Sequence, residues 1–144
     1  MSNVLRWITT IALVAAGLSV VTAAPAAAAA CGTGGTLCTG WDPQSAGCSP
    51  GAYNLESFDH GGDGITDLRY NATCHAAWAR FTSSSGRGGK ISIESTDGIE
   101  YVVNLAGYVG EVKWTRMIDF TKTVRACHFA YYGDQALWKC SSWR

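Results

Sequence analysis

The segment Lys90-Ile-Ser-Ile-Glu-Ser-Thr-Asp-Gly-Ile-Glu-Tyr-Val-Val-Asn104 contains two alternating apolar/polar runs on either side of an Asp-Gly turn. Asp-Gly between two such runs is typical of a β-hairpin, because its tight turn requires the positive φ angles that Gly adopts without strain. Alternation places Ile91 and Ile93 on a buried face and Lys90 and Glu94 on the opposite, exposed face. The sequence therefore predicts a half-buried hairpin here.

The rest of the chain repeats this pattern of short β-branched and aromatic runs separated by Gly, Asp, Asn and Ser. Such a pattern is typical of an all-β domain. The predicted strands are residues 53–59, 65–71, 77–83, 90–95, 99–104, 111–115, 120–128 and 136–142. Only residues 73–79 could begin a helix, of one turn at most. We therefore predict a small antiparallel barrel or sandwich of about seven to eight short strands, since either arrangement hides sheet edges.

The first 30 residues are typical of a secretory signal peptide. Arg6 supplies the positive charge, residues 8–21 are apolar, and small residues offer several cleavage sites within 24–30. We expect a signal peptide over residues 1–30, a single disulfide-held β domain over residues 31–144, and a secreted, extracellular product. A lipid anchor on Cys31 is the alternative, although Ala28, three places before it, is smaller than usual for such a site. No second apolar stretch follows, so we expect no membrane association after signal removal.

The charge balance excludes one class of partner. The 144 residues include 11 Lys+Arg and 11 Asp+Glu, a formal net charge of zero. Nucleic-acid-binding domains usually carry a basic surplus, so we expect no nucleic-acid partner. We expect either a monomer or one member of a secreted complex.

Six cysteines follow the predicted signal peptide, and disulfides persist in exported proteins. They are Cys31, Cys38, Cys48, Cys74, Cys127 and Cys140. Six cysteines allow fifteen connectivities. The pairing we expect is Cys38–Cys48 across a local turn, Cys74–Cys127 across the core, and Cys31–Cys140 between the two ends. Zinc is the alternative, but no cysteine pair has the C-x-x-C spacing of a zinc site.

Acidic residues and histidines offer the candidate chemistry. Asp59, Asp63 and Asp67 recur every four residues around a Gly-rich loop, a pattern that calcium could use but that also fits a hairpin turn. His60 lies next to Asp59 and is the candidate catalytic base of a small hydrolase acting on cell-wall or protein substrates. A pair of carboxylates, one acid and one base or nucleophile, is the other arrangement that such a hydrolase could use. No G-x-S-x-G nucleophile motif is present. We therefore predict no catalytic residue, metal or cofactor, and keep the hydrolase as the alternative.

Aromatic residues are the more informative signal. Trp41, Tyr131 and Tyr132 are the predicted ligand-binding residues, because aromatic side chains on loops stack on sugar rings or anchor protein interfaces. The alternative is that the C-terminal aromatic residues, including Trp138 and Trp143, pack as core beneath a Cys31–Cys140 bridge. The leading hypothesis is a secreted, non-enzymatic interaction module whose partner is a cell-wall glycan or another exported protein.

Four motifs along the chain point to a family. They are Cys38-Thr-Gly-Trp-Asp-Pro-Gln-Ser-Ala-Gly-Cys48, Asp67-Leu-Arg-Tyr-Asn-Ala-Thr-Cys-His-Ala-Ala-Trp-Ala-Arg80, Trp114-Thr-Arg-Met117 and Arg125-Ala-Cys127. Together they resemble the YjfA-like family, small secreted proteins of actinobacteria and bacilli that are classed as a domain of unknown function. The resemblance implies export and a β-rich, disulfide-held fold, and it assigns no catalytic residue.

The resemblance also implies a shared cysteine set, Cys38, Cys48, Cys74 and Cys127. The chain departs from the family pattern by adding Cys31 and Cys140, and by having Asn71 and Ala72 where Ser and Pro are commoner. Arg69 and Arg80 match family positions. Because Arg80 stands between apolar neighbours on a predicted strand, we expect it to make a structural hydrogen bond or ion pair.

Overall fold

The structure is a computed structural model that describes Cys31, residues 37–133 and residues 135–144. The predicted signal peptide, residues 1–30, lies outside these described residues. Nine antiparallel β-strands and no helix are found within them, which confirms the all-β prediction. Accordingly, this part of the chain contains no helix that could span a membrane.

The observed strands follow the predicted ones closely. They are β1 (Tyr53–Asp59), β2 (Gly64–Asn71), β3 (Ala76–Ser83), β4 (Gly89–Ser95), β5 (Glu100–Leu105), β6 (Val112–Trp114), β7 (Ile118–Asp119), β8 (Val124–Tyr132) and β9 (Gln135–Cys140). The short strand β7 was not predicted. The helical turn expected within residues 73–79 is wrong: residues 72–75 form a turn, and β3 begins at Ala76. His75 has a positive φ of 50° there, which ends any right-handed helical path.

The strands form two open sheets. The first has the order β1-β2-β3-β6, with β7 also paired to β3, and the second has the order β5-β4-β8-β9. The sheets are not closed into a barrel, so the sandwich is the correct one of the two predicted arrangements. The β4–β5 hairpin has the predicted faces, with Ile91 opposite Val103 and Ile93 opposite Tyr101. Ile91 and Ile93 are fully buried.

The main core lies between the inner faces of the two sheets. The first sheet contributes Leu68 and Phe81, and the second contributes Ile91, Ile93 and Val124. These apolar side chains alternate with outward-facing residues along their strands, as expected for a sheet with one buried face. Their burial supplies the main stabilisation of the sandwich, at roughly 25 cal/mol for each Å² of apolar surface removed from water.

Strand β3 is buried on both faces. Ala77 and Ala79 face the main core, whereas Trp78 points to the outer side of the first sheet. There Trp78 joins a second buried cluster that includes Met117 and four cysteines. The segment before β1 covers this outer side, since the N–H of Gly40 donates to the carbonyl of Met117 and the N–H of Met117 donates to the carbonyl of Trp41.

All six cysteines form disulfides, but the predicted pairing is wrong. The observed bridges are Cys31–Cys38, Cys48–Cys74 and Cys127–Cys140. Cys127 and Cys140 stand directly opposite each other in the β8–β9 pairing, so neither is placed to cross the core or to reach Cys31. The other four sulfur atoms lie within 4.8 Å of one another in the second buried cluster.

The number of residues that each bridge encloses sets its expected contribution to the free energy of unfolding, and we compare two of the bridges. Cys48 and Cys74 are 26 residues apart, and Cys31 and Cys38 are 7 apart. Replacing both cysteines of a pair by Ala should lower the free energy of unfolding by about 3.5 kcal/mol for Cys48–Cys74 and about 2.5 kcal/mol for Cys31–Cys38, because a bridge that closes a longer loop restricts the unfolded chain more. Urea unfolding followed by tryptophan fluorescence measures both losses. A larger loss for Cys31–Cys38 would contradict this expectation.

Candidate binding surface

An exposed cluster of aromatic rings lies on the outer face of the second sheet. Alternation along β8 turns Phe129 and Tyr131 outward, and pairing with β9 places Trp138 opposite Phe129. The ring centroids of Phe129 and Trp138 are 4.9 Å apart, as are those of Phe129 and Tyr131, and both pairs meet edge to face. Tyr131 is 56% exposed and Trp138 is 50% exposed. We call Phe129, Tyr131 and Trp138 the aromatic face.

A cation lies against two of these rings. Lys90 on β4 is the partner of Phe129 across the sheet. Its Nζ lies 5.2 Å from the Phe129 ring centroid and 5.1 Å from that of Trp138. At these distances the ammonium group is attracted to the negative faces of the rings. Lys90 therefore helps to hold the two rings in place.

A groove of about 620 Å³ adjoins the aromatic face, and Trp138 lines it. Glu94 and Arg125 form an ion pair in this groove, with 3.0 Å between Arg125 Nη2 and Glu94 Oε2. Glu100 also lines the groove and stands opposite Glu94 across the hairpin. The Cys127–Cys140 bridge holds β9 against β8 beside it, so that Cys140 forms part of the wall. We call this the charged groove.

The three aromatic residues singled out in the sequence do not share one surface. Tyr131 is part of the aromatic face. Tyr132, the next residue on β8, points to the other side of the sheet, where its hydroxyl donates to Asp63 Oδ2 at 2.5 Å. Trp41 lies in the loop before β1 that covers the first sheet and is 43% exposed. The structure thus leaves Tyr131 and Trp41 as exposed rings on different elements.

The alternative of a C-terminal aromatic core is wrong for Trp138 and Trp143. No bridge links Cys31 to Cys140, so the closure that would have buried the two rings is absent among the described disulfides. Trp143 is 40% exposed. Its ring stacks beneath the guanidinium of Arg125, with 4.4 Å from the Arg125 Cζ to the ring centroid.

The histidine proposed for catalysis lies in a buried cluster between the sheets. His60 is only 8% exposed, and its ring centroid is 5.3 Å from that of His128. His128 in turn packs on Phe81, with 4.6 Å between their centroids. The Nδ1 atoms of both histidines have no hydrogen-bond partner in the described part of the chain. No serine hydroxyl is hydrogen-bonded to either ring among the described residues.

The three acidic residues Asp59, Asp63 and Asp67 bind separate partners, and Asp59 accepts a hydrogen bond from the N–H of Gly62 in the turn. Asp63 is buried and pairs with Arg87 at 2.7 Å. Asp67 is also buried and pairs with Arg80 at 2.7 Å, which is the ion pair expected for Arg80. Burial raises the pKa of Asp63, but hydrogen bonds from Tyr132, Arg87 and Ser85 outweigh it, and the pKa lies below its ordinary value. The solvated hairpin turn predicted for these carboxylates is therefore found only at Asp59, whereas Asp63 and Asp67 are buried and tie the turn and β2 to distant parts of the chain.

Comparison with protein families identifies one match. A family model described as "Protein of unknown function (DUF2690)" matches residues 36–128, more than half of the chain. The chain belongs to this family. Searches of the curated proteins and of the solved structures found no match. The family description assigns neither an activity nor a ligand.

The DUF2690 match ends at residue 128, so the aromatic face lies beyond it. Sequence reasoning identified Tyr131 but not Phe129 or Trp138 as partners in one surface. The available signal was the alternation of Phe129 and Tyr131 along β8. The position of Trp138 follows only from the register of β8 with β9. The Cys127–Cys140 bridge, which links the two strands two residues away, is consistent with that register.

Acidification should destabilise the fold through His128. Burial, and then neighbouring His60, lower the pKa of His128 from 6.5 to about 4, although Asp63 and Asp59 oppose the shift. Between these two values the unfolded chain binds a proton that the folded chain does not, so the free energy of unfolding falls as the pH drops from 6.5 to about 4. The loss should approach about 3 kcal/mol. Urea unfolding at a series of pH values measures it.

Two variants test the assignment to His128. His128→Phe keeps an aromatic ring against Phe81 and removes the titrating group, so the pH dependence in this range should become much flatter. His75→Asn replaces an exposed histidine at a positive φ that Asn tolerates, and it should retain the wild-type pH dependence. An unchanged pH dependence in His128→Phe would contradict the prediction.

Proposed function

We propose that this protein is a secreted, non-enzymatic binding module that holds a cell-wall glycan on its aromatic face. The observation that carries the proposal is a row of three rings in which the exposed Tyr131 and Trp138 each contact the half-buried Phe129. Water-exposed tryptophan and tyrosine side chains on a rigid sheet are well placed for binding, because little side-chain entropy is lost when a ligand covers them.

The chemistry of a glycan fits the two adjoining features. The apolar C–H faces of sugar rings pack against aromatic rings, and the aromatic face offers the exposed rings of Tyr131 and Trp138. Sugar hydroxyl groups both donate and accept hydrogen bonds. Glu94 and Glu100 in the charged groove are acceptors, and Arg125 is a donor. Trp138 lies at the boundary between the aromatic face and the groove, so one ligand can contact both.

Export is part of the same proposal. Three disulfides within the described residues, together with the leader-like residues 1–30, support an extracellular location. The resemblance to the YjfA-like secreted proteins supports it as well. N-terminal sequencing of protein recovered from the culture fluid tests this part directly, since the mature chain should begin between residues 24 and 31.

A small hydrolase that uses His60 gains no support from the geometry. Its candidate base, His60, is buried against His128 and Tyr132, and neither the charged groove nor its surroundings include His60. Asp63 is buried and already accepts hydrogen bonds from Arg87, Ser85 and Tyr132. A hydrolase would need these groups to face a substrate.

Binding to isolated cell walls tests the proposed function. The exported wild-type protein should co-sediment with walls, and Trp138→Ala should bind at least about 5-fold more weakly, because truncating a central aromatic contact typically costs a kcal/mol or more. Its melting temperature should change little, since the Trp138 ring is half exposed. Tyr131→Ala should weaken binding in the same direction.

Trp41→Ala is the matched control, because Trp41 is a similarly exposed tryptophan on a different element. It should bind walls as the wild type does. Loss of wall binding in Trp41→Ala alone, with an unchanged melting temperature, would move the binding surface to the loop before β1. Capture of a stoichiometric exported protein instead of walls would replace the glycan by a protein partner.

A further inference from the structure

A second groove, of about 170 Å³, lies on the outer side of the first sheet. Register places Arg80 between Asp67 and Trp114, and Arg69 opposite Trp78. The groove is therefore lined by two guanidinium groups and two indoles from the sheet, and by Gln44 and Ser49 from the segment that covers it. We call it the arginine groove. It is on the opposite side of the sandwich from the aromatic face.

The lining of the arginine groove contains two cations and no carboxylate. Arg80 is neutralised by Asp67, which lies buried beneath it and also accepts hydrogen bonds from Asn54 and Ser57. None of the ion pairs among the described residues includes Arg69. Arg69 thus has no carboxylate in ion-pair contact, although the nearby charge of Asp67 favours its charged form.

Arg69 is held in position by uncharged partners. It donates to the carbonyl oxygen of Ala52 at 2.8 Å and to Asn54 Oδ1 at 3.3 Å, and its guanidinium lies 5.8 Å from the Trp78 ring centroid. A guanidinium has five N–H donors, so three remain. Burial, and then the charge of Arg80, lower the pKa of Arg69, and the charge of Asp67 opposes this shift. An anion in the groove would act in the same direction as Asp67 and would offset the repulsion from Arg80.

Asp42, which contacts the groove wall through Trp114, already accepts hydrogen bonds from several donors. Asp42 accepts hydrogen bonds from the backbone N–H groups of Gln44 and Ser45, and from Trp114 Nε1 at 2.8 Å. Asp42 does not line the groove. Its bond to Trp114 instead fixes the indole that forms one wall, which makes the Trp114 indole N–H signal a reporter of events in the groove.

We propose that the arginine groove binds a carboxylate carried on a small apolar group, such as the free C-terminus of a peptide. Arg69 has no ion-pair partner among the described residues, so it can pair with the single negative charge of a carboxylate. Its planar guanidinium suits the two oxygens of a carboxylate, and such charge-assisted pairs are the strong ones. Val112 and the indole of Trp114 offer apolar contact to the group that carries the carboxylate. The small volume favours a short side chain.

Titration with two short peptides tests the site on the exported, oxidised protein. The probes are N-acetyl-Ala-Ala with a free carboxylate and the same dipeptide with a C-terminal amide. In ¹H–¹⁵N spectra at low ionic strength, the free acid should shift the Trp114 indole signal saturably. The amide should bind at least about 10-fold more weakly, because it lacks the charge. Added salt should weaken binding of the acid.

The variants separate this site from general surface charge. Arg69→Gln should lower affinity for the acid at least about 10-fold. Arg116→Gln is the matched control, because Arg116 is an exposed arginine that also donates to a backbone carbonyl, that of Gly40, and it should leave the affinity unchanged.

Equal binding of acid and amide, or an equal loss in both variants, would overturn the proposal. Binding of inorganic phosphate without binding of the dipeptide would overturn the choice of a carboxylate. The difference in affinity between the free-acid and the amide dipeptide is measured on the wild-type protein, so it tests the proposal even if Arg69→Gln fails to fold.

Discussion

One core determines which surfaces of this protein a ligand can reach. It is formed by Ile91 and Ile93 of the second sheet and by Leu68 and Phe81 of the first. All four side chains are fully buried, and period-2 alternation then determines which residues face outward. A slip of one residue in β4 would exchange Ile91 for Lys90 on the inner face. The register that buries Ile91 in the core is therefore also the one that places Lys90 beside Phe129 on the aromatic face. The inner faces are filled, which leaves the outer faces and their grooves as the accessible surfaces.

The net charge of zero conceals an uneven distribution of charge over these outer faces. The charged groove has two carboxylates, Glu94 and Glu100, and one guanidinium in its lining, whereas the arginine groove has two guanidinium groups and no carboxylate. The two proposed ligands follow this difference in charge: the hydroxyl groups of a sugar for the charged groove, and a carboxylate for the arginine groove. Neither preference could be derived from composition, because composition sums over both faces.

The fold could be predicted from the sequence to a large extent, because its signals are local. The Asp97-Gly98 turn and the alternating runs beside it determine a hairpin without reference to the rest of the chain. The pairing of Cys31, Cys38, Cys48 and Cys74 could not be predicted, since their four sulfur atoms come within 4.8 Å of one another. The Cys127–Cys140 bridge depends on the register of β8 with β9, which the sequence of either strand alone does not specify. The aromatic face was predicted only at Tyr131. Phe129 and Trp138 meet through strand pairing, which alternation within a single strand does not specify.

Each candidate site depends on a different part of the covalent and hydrogen-bonded framework. The Cys127–Cys140 bridge links β8 to β9 and so holds Trp138 against Phe129. The arginine groove depends instead on the segment that crosses the outer side of the first sheet, which is held by the Cys48–Cys74 bridge and by hydrogen bonds such as that from Arg69 to the carbonyl of Ala52. All residues that line the arginine groove lie within the DUF2690 match, whereas the three rings of the aromatic face lie beyond it. The bridges and hydrogen bonds that hold the two sites are different, and only the central core is common to both. A substitution that disrupts one site therefore need not disturb the other.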